Sequence, residues 1–194
     1  MFLNTMIRYA SIMVFLGLMA CESSHYSGLV KTEYNSGEVN DSLFLGFSFG
    51  MTQKEFFNAG WEMNKKGLIM QGPQNQNVSY TLKSADGSRD IEMLFYPEFD
   101  VHGRVKNMPA RFMYKGWAPW NLNLFSDSLL LVVKDTLMDW YGGNNFYLFE
   151  KPDENIRFWY KVDGNRQITL ATINEREVKA VIKNLLHPDN DPFK

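Results

Sequence analysis

The sequence predicts an α+β protein made of two similar units, each a helix followed by an antiparallel meander of three strands, with a further helix at the C-terminus. Two stretches, near residues 52–66 and 126–141, have apolar residues at the spacing of a helix. After each of them, apolar and polar residues alternate, as in strands with one buried face. The chain has 194 residues, of which 45% are hydrophobic and 15% aromatic, which is enough apolar mass for a packed core.

Residues 1–20 are predicted to be a signal peptide and not part of the fold. Arg8 is the only charged residue before an apolar run that extends from Ala10 to Gly17. That run is shorter than the roughly 20 apolar residues that cross a bilayer, and it suits the hydrophobic part of a secretory signal.

The residues that end this segment, Leu18-Met19-Ala20-Cys21, resemble the lipobox of bacterial lipoproteins. The resemblance implies cleavage before Cys21 and acylation of Cys21. Lipid would then anchor the protein in the envelope of a Gram-negative cell, at the outer membrane, with the bilayer as one partner and the leaflet left open. The alternatives are an ordinary secretory signal with a free thiol, or a membrane-spanning anchor. Because Cys21 is the single cysteine, an internal disulfide and a cysteine-rich zinc site are excluded.

Residues 22–42 are predicted to be a flexible tether that follows the acylated cysteine. They are rich in Ser, Gly, Asn and Asp, and no apolar period is visible in them. A flexible chain of this length has a root-mean-square reach of roughly 25 Å, which would lift a folded domain clear of a lipid surface.

The first unit is predicted over residues 43–121. Its helix begins after Thr52, because Thr52 and Glu55 have the spacing of a capping box, and it ends near Lys66, before Gly67. The apolar residues of this helix, taken together as its buried face, are Phe56, Phe57, Ala59, Gly60, Trp61 and Met63. Alternation then predicts three strands, near residues 78–82, 91–95 and 110–114, and allows a short additional one near 68–71.

The second unit is predicted over residues 122–194. Its helix runs from Ser126 or Asp127 to Tyr141, and Gly142 ends it. Strands are predicted near residues 146–149, 156–162 and 168–172. A last helix is predicted from Asn174 onward, because four later apolar residues have helical spacing, namely Val178, Val181, Ile182 and Leu185.

A short string at the start of the first helix, Phe49 to Glu55, resembles one found in small outer-membrane assembly lipoproteins and in β-lactamase-inhibitor-like proteins. In those families a Gly-Met-Thr or Gly-Met-Ser helix start precedes an antiparallel meander. The chain as a whole is also similar to lipoproteins of Gram-negative bacteria that have no assigned activity. The resemblance to the first group implies a protein that binds other proteins and has no catalytic activity.

Aromatic residues between the two units are the candidate binding residues. Tyr114, Trp117 and Trp120 could form an aromatic surface for a sugar ring or for a side chain of a partner. The alternative is that the tryptophans pack between the units. Glu98, Asp100 and His102 share one loop, but no second cluster completes a catalytic or metal site, so we interpret this loop as a solvated turn.

Charge and motifs exclude several classes of function. The chain has 20 basic and 22 acidic residues without a basic face, so nucleic acid is not an expected partner. Neither a phosphate-binding glycine loop nor a catalytic triad motif is visible, and no cofactor or metal is expected. The sequence therefore predicts a non-catalytic envelope lipoprotein that binds another envelope protein or acts as a scaffold. The second hypothesis is a lipoprotein that binds a glycan or small ligand through Trp117 and Trp120.

Overall fold

The computed structural model describes residues 25–194. The predicted signal peptide and the predicted acylation site Cys21 lie outside the described residues. Within residues 25–194 the chain forms three α-helices, which are α1 (residues 25–35), α2 (Gln53–Lys65) and α3 (Ser126–Tyr141). None of them has the length and apolar content that a bilayer crossing requires. The α+β class is confirmed.

Nine strands form one antiparallel sheet. They are β1 (Ile69–Gln71), β2 (Val78–Leu82), β3 (Ile91–Phe95), β4 (Glu98–Phe99), β5 (Val105–Tyr114), β6 (Tyr147–Lys151), β7 (Ile156–Asp163), β8 (Arg166–Thr172) and β9 (Glu177–Asn184). The strand order is β1-β2-β3-β5-β9-β8-β7-β6. The short strand β4 lies outside this order and pairs with β5. The order is symmetric about the β5–β9 pair, where Ala110 lies opposite Ala180.

The two units predicted from the sequence therefore share one continuous sheet. The first unit supplies one half of the sheet and the second supplies the other. The short strand that the sequence allows near residues 68–71 is present as β1, at one edge. Strand β6 forms the opposite edge. The helices predicted near residues 52–66 and 126–141 are present at those positions, and Thr52 and Glu55 form the capping box, with the Thr52 N–H donating to the Glu55 carboxylate at 2.8 Å.

The predicted C-terminal helix is wrong, because residues from Glu177 to Asn184 form strand β9. This strand pairs with β5 on one side and with β8 on the other, so its backbone hydrogen bonds are satisfied within the sheet. Val178, Ala180 and Ile182 alternate into the core. The Asn174 side chain accepts hydrogen bonds from two following backbone N–H groups, as a helix cap would, but here it closes the turn before β9.

The interpretation of residues 22–42 as a flexible tether is wrong for the described part, residues 25–42. Helix α1 packs on the sheet, and its Val30 side chain is only 3% exposed. Val30 belongs to a small apolar cluster with Phe149, Tyr160, Val162 and Leu185. The cause is an apolar stripe at helical spacing that lies hidden among polar residues, namely Tyr26, Leu29, Val30 and Tyr34.

Helices α2 and α3 lie on one face of the sheet and α1 lies on the other. Phe56 of α2 and Leu129 of α3 belong to the main core, together with the inward side chains of β3, β5, β8 and β9. On β7 the side chains alternate between the two layers, because Trp159 packs against the main core and Phe158 and Tyr160 belong to the α1 cluster. Helix α1 thus covers the β6–β8 end of its face.

Candidate functional site

The three aromatic residues singled out from the sequence do not share one surface. Tyr114 is 2% exposed and belongs to the main core. Trp117 is half-buried, with the guanidinium of Arg176 4.6 Å from its ring centre and the ring of Phe125 packed beside it. Trp120 is 84% exposed. The structure therefore places only Trp120 where a ligand has free access.

The loop of Glu98, Asp100 and His102 is held together as a turn. The Asp100 carboxylate accepts the backbone N–H groups of His102 and Arg104, both at 2.8 Å, and its other oxygen lies 3.3 Å from the His187 ring. The hydrogen bond from the Arg104 backbone is the largest cause that lowers the pKa of Asp100. Within residues 25–194 no group of three or more His, Cys, Asp or Glu side chains is arranged to hold a metal ion.

A buried charged cluster joins α3 to the β7–β8 hairpin. Lys161 is fully buried, and its ammonium lies 2.7 Å from the Asp163 carboxylate and donates to the backbone carbonyls of Gly142 and Asn144 at the end of α3. A cation is favourable there because the carbonyls at a helix C-terminus carry partial negative charge. Arg166 donates to the Ser42 carbonyl at 3.1 Å. These contacts join the β7–β8 hairpin to neighbouring parts of the fold, so we assign the cluster a structural role.

A cavity of about 550 Å³ lies between helix α2 and the edge strand β1, and we call it the α2–β1 groove. Its size falls in the range typical of small-ligand sites. The described residues that line it are Phe56, Phe57, Asn58, Gly60, Trp61, Asn64, Ile69, Met70, Gln71, Asn75, Asn77, Val78 and Tyr96.

Helix α2 has two apolar faces, and only one of them belongs to the core. Phe56, Ala59 and Met63 pack against the main core. The groove is lined by the next stripe at positions i, i+3, i+4 and i+7, namely Phe57, Gly60, Trp61 and Asn64. The sequence places Phe57 and Trp61 in the buried face, and the structure places them in the groove. An apolar stripe wider than one buried face was the signal that could have identified them.

Gly60 lines the groove without contributing a side chain to it. A glycine inside a helix is less favourable than alanine by roughly 0.5–1 kcal/mol, so its presence needs a reason. A Cβ atom at this position would meet the Cδ1 atom of Ile69 at 3.9 Å, which is ordinary contact. The backbone therefore tolerates a side chain here, and that side chain would take up groove volume.

Large apolar side chains around the groove remain exposed to solvent. Trp61 is 62% exposed, and Phe57, Met70 and Tyr96 are also exposed. The Lys65 ammonium lies 5.5 Å from the Trp61 ring centre and pairs with Glu62 at 2.8 Å. An exposed group of aromatic side chains around a cavity is typical of a binding site.

The polar part of the groove consists of amides. Of the thirteen described lining residues, five carry amide side chains and none carries a formal charge. The Asn64 amide donates to the Ile69 carbonyl at 3.0 Å. The side chains of Asn58, Gln71, Asn75 and Asn77 make no hydrogen bond with the described residues, so their donors and acceptors are available to a ligand.

Comparison with known proteins gives no relative. No protein-family model matches the chain, and neither does any curated protein or solved structure.

Proposed function

We propose that this chain is a non-catalytic binding module of the cell envelope, anchored through acylated Cys21, and that it holds its ligand in the α2–β1 groove. The observation that carries the proposal is the exposure of Trp61 and Phe57 around a cavity of about 550 Å³. Among the described lining residues there is no carboxylate, imidazole or ammonium group and no nucleophile such as serine or cysteine. A catalytic site needs such groups in mutual reach, whereas a binding site does not.

The position of the groove suits an anchored module. Helix α1 packs at the β6–β8 end of the sheet, and the groove lies at the opposite edge, beside β1. Cys21 precedes His25 by only four residues. Because an extended chain spans at most about 3.6 Å per residue, acylation would hold the α1 end within roughly 14 Å of the lipid surface. The groove would then lie at the end of the sheet remote from the anchor.

A second candidate function is the docking of another envelope protein on the face of the sheet opposite α2 and α3. The observation that favours it is a depression of about 260 Å³ on this face, whose lining includes Phe158, Thr169, Ala171, Lys179 and Val181. Apolar and polar side chains are mixed there, as in many protein interfaces.

Protection of introduced thiols in cells tests both candidates. Three variants of the full chain are compared: Met70→Cys in the groove, Val181→Cys on the sheet face, and Val101→Cys as a control at a site that is 93% exposed. Each is reacted with N-ethylmaleimide in intact cells and again after purification. Peptide mass spectrometry identifies the labelled position, so that any labelling of Cys21 is measured separately.

The proposal predicts that the thiol at position 70, relative to the control, reacts several-fold more slowly in cells than after purification. Protection at position 181 alone would favour the docking of a protein on the sheet. Equal relative rates in cells and after purification at both positions would contradict both candidates.

A further inference from the structure

We infer that the ligand of the α2–β1 groove is a neutral glycan, an uncharged oligosaccharide. This inference rests on the proposed function, because it names the chemical class of the ligand for that same site. Three features of the groove point to it: exposed aromatic rings, a set of side-chain amides, and the absence of formal charge among the described lining residues.

The aromatic rings offer the contact that sugar rings need. One face of a pyranose ring presents C–H groups with partial positive charge, and the face of an aromatic ring carries partial negative charge. Trp61 gives the largest such surface and is 62% exposed. Phe57 lies one helical turn before it on the same stripe, and Tyr96 adds a ring with a hydroxyl group.

The amides offer the hydrogen bonds that sugar hydroxyls need. A hydroxyl group both donates and accepts, and a side-chain amide does the same without a charge. Four of the five amides around the groove make no hydrogen bond with the described residues, and Asn64 keeps its carbonyl oxygen while its NH₂ group donates to Ile69. A ligand rich in hydroxyl groups could satisfy all of these atoms at once.

Charged ligands fit the groove less well. No described lining residue is basic or acidic, so neither a phosphate nor an ammonium group would find an opposite charge. Lys65 is near Trp61, but its ammonium pairs with Glu62 at 2.8 Å. A bare acyl chain also fits less well, because it would bury amide groups without giving them hydrogen-bond partners, which is unfavourable.

An extended peptide that adds to the sheet is not favoured either. Strand addition depends on a row of unpaired backbone groups along an edge. Strand β1 has only three residues, and the carbonyl of Ile69 already accepts a hydrogen bond from the Asn64 side chain. The backbone of this edge therefore offers little for a peptide to pair with.

Titration calorimetry with sugars of different charge tests the inference. The full chain is purified in an amine-oxide detergent, because detergents with sugar headgroups would compete for the groove. The neutral probes are maltotriose, cellotriose and N,N′,N″-triacetylchitotriose, and the charged probes are trigalacturonate and the trimer of glucosamine. We expect at least one neutral probe to bind with a Kd between about 1 μM and 1 mM, and the charged probes to bind at least about tenfold more weakly. Because the ligand is neutral, affinity should change less than about twofold between roughly 50 and 500 mM salt.

Variants locate the binding in the groove. Trp61→Ala should weaken the binding of the neutral probe at least about tenfold, and Gly60→Leu should do so because its side chain would take up groove volume. Gly60→Ala is the matched control for the effect of removing the glycine from the helix, because it adds only one methyl group. It should weaken binding less than Gly60→Leu does. Trp120→Ala changes an exposed tryptophan outside the groove and should leave binding unchanged.

The possible failures are distinguishable. If the thiol at position 70 is protected in cells but none of the neutral sugars binds at up to about 20 mM, the glycan inference is overturned and the groove remains the binding site. Binding of an acidic or basic sugar as tight as that of its neutral counterpart would also overturn it, as would an apolar peptide that binds in the groove while the sugars do not. If position 70 is unprotected and no sugar binds, both proposals fail.

Discussion

Gly164, in the turn between β7 and β8, is where the chain that follows α1 closely approaches the sheet. Its φ angle is +56°, a region that residues with a side chain rarely adopt. A Cβ atom at Gly164 would overlap the carbonyl oxygen of Glu38 and lie 2.9 Å from the carbonyl carbon. The Gly164 N–H also donates to the Glu33 carboxylate at 2.8 Å. Gly164→Ala should therefore push the segment of residues 33–41 off the hairpin.

The expected loss in the free energy of unfolding follows from comparison with a glycine that no other atom approaches closely. Gly87 has a φ angle of +72° and no atom within 4 Å of its built Cβ, so Gly87→Ala bears only the cost of the left-handed backbone, about 1 kcal/mol. Gly164→Ala bears the same cost and also loses a hydrogen bond to a charged group, which contributes roughly 1.5–3 kcal/mol. We expect Gly164→Ala to lower the free energy of unfolding by about 2–3 kcal/mol more than Gly87→Ala does.

Urea denaturation of the two variants measures this difference, and hydrogen exchange locates it. Residues 25–41 should exchange faster in Gly164→Ala than in the wild type and should be unaffected in Gly87→Ala. Equal losses of stability in the two variants, or exchange that is already fast in the wild type, would show that residues 25–41 are not held against the β7–β8 turn. Residues 25–41 would then behave as the flexible tether that their composition suggests.

Three further predictions concern residues outside the groove. Trp117→Ala should lower the free energy of unfolding by about 2 kcal/mol because the ring is half-buried beneath Arg176, whereas Trp120→Ala should change it by less than about 0.5 kcal/mol; equal effects in urea melts would contradict the placement of these residues. Burial raises the pKa of Tyr141 above its ordinary value of 10.0, so the stability that its neutral form contributes is present below about pH 10 and is lost as pH rises further. Tyr141→Phe should therefore show a smaller fall in the free energy of unfolding between about pH 9 and pH 11.5 than the wild type, and an identical fall would exclude this contribution. Cys21→Ala should abolish incorporation of labelled palmitate and release the protein from the membrane fraction, and a variant that stays in that fraction would point to another anchor.

Local signals in the sequence account for much of the fold. The capping box of Thr52 and Glu55 marks the start of α2, and the alternation over residues 156–162 marks β7. The prediction of a helix in place of β9 is wrong because the apolar residues of this strand satisfy two periods. Val178, Val181 and Ile182 have helical spacing, whereas Val178 and Ile182 with the small residue Ala180 between them have the spacing of a strand. Pairing with β5 and β8 on both sides decides between the two, and that pairing is not visible from local sequence.

The groove could not be predicted because its residues look like core residues. Phe57 and Trp61 extend the apolar stripe of α2, and the sequence alone indicates burial for such a stripe. Whether they are buried depends on where the edge of the sheet falls. Strand β1 is the last strand on its side, so nothing among the described residues covers the outer flank of α2. The sequence alone does not predict that the amides lie together, because they come from α2, β1 and the turn that precedes β2, and only the fold brings these elements to one site.

Nuclear magnetic resonance of the tryptophan indole N–H groups can show whether the ligand binds in the α2–β1 groove. The chain has five tryptophans, so its indole region is simple, and each signal can be assigned by substitution. On addition of the neutral trisaccharide that binds most tightly, we expect a shift of the Trp61 signal alone. A shift of the Trp117 or Trp120 signal while the Trp61 signal stays in place would show that the ligand binds near Trp117 and Trp120 and not in the groove.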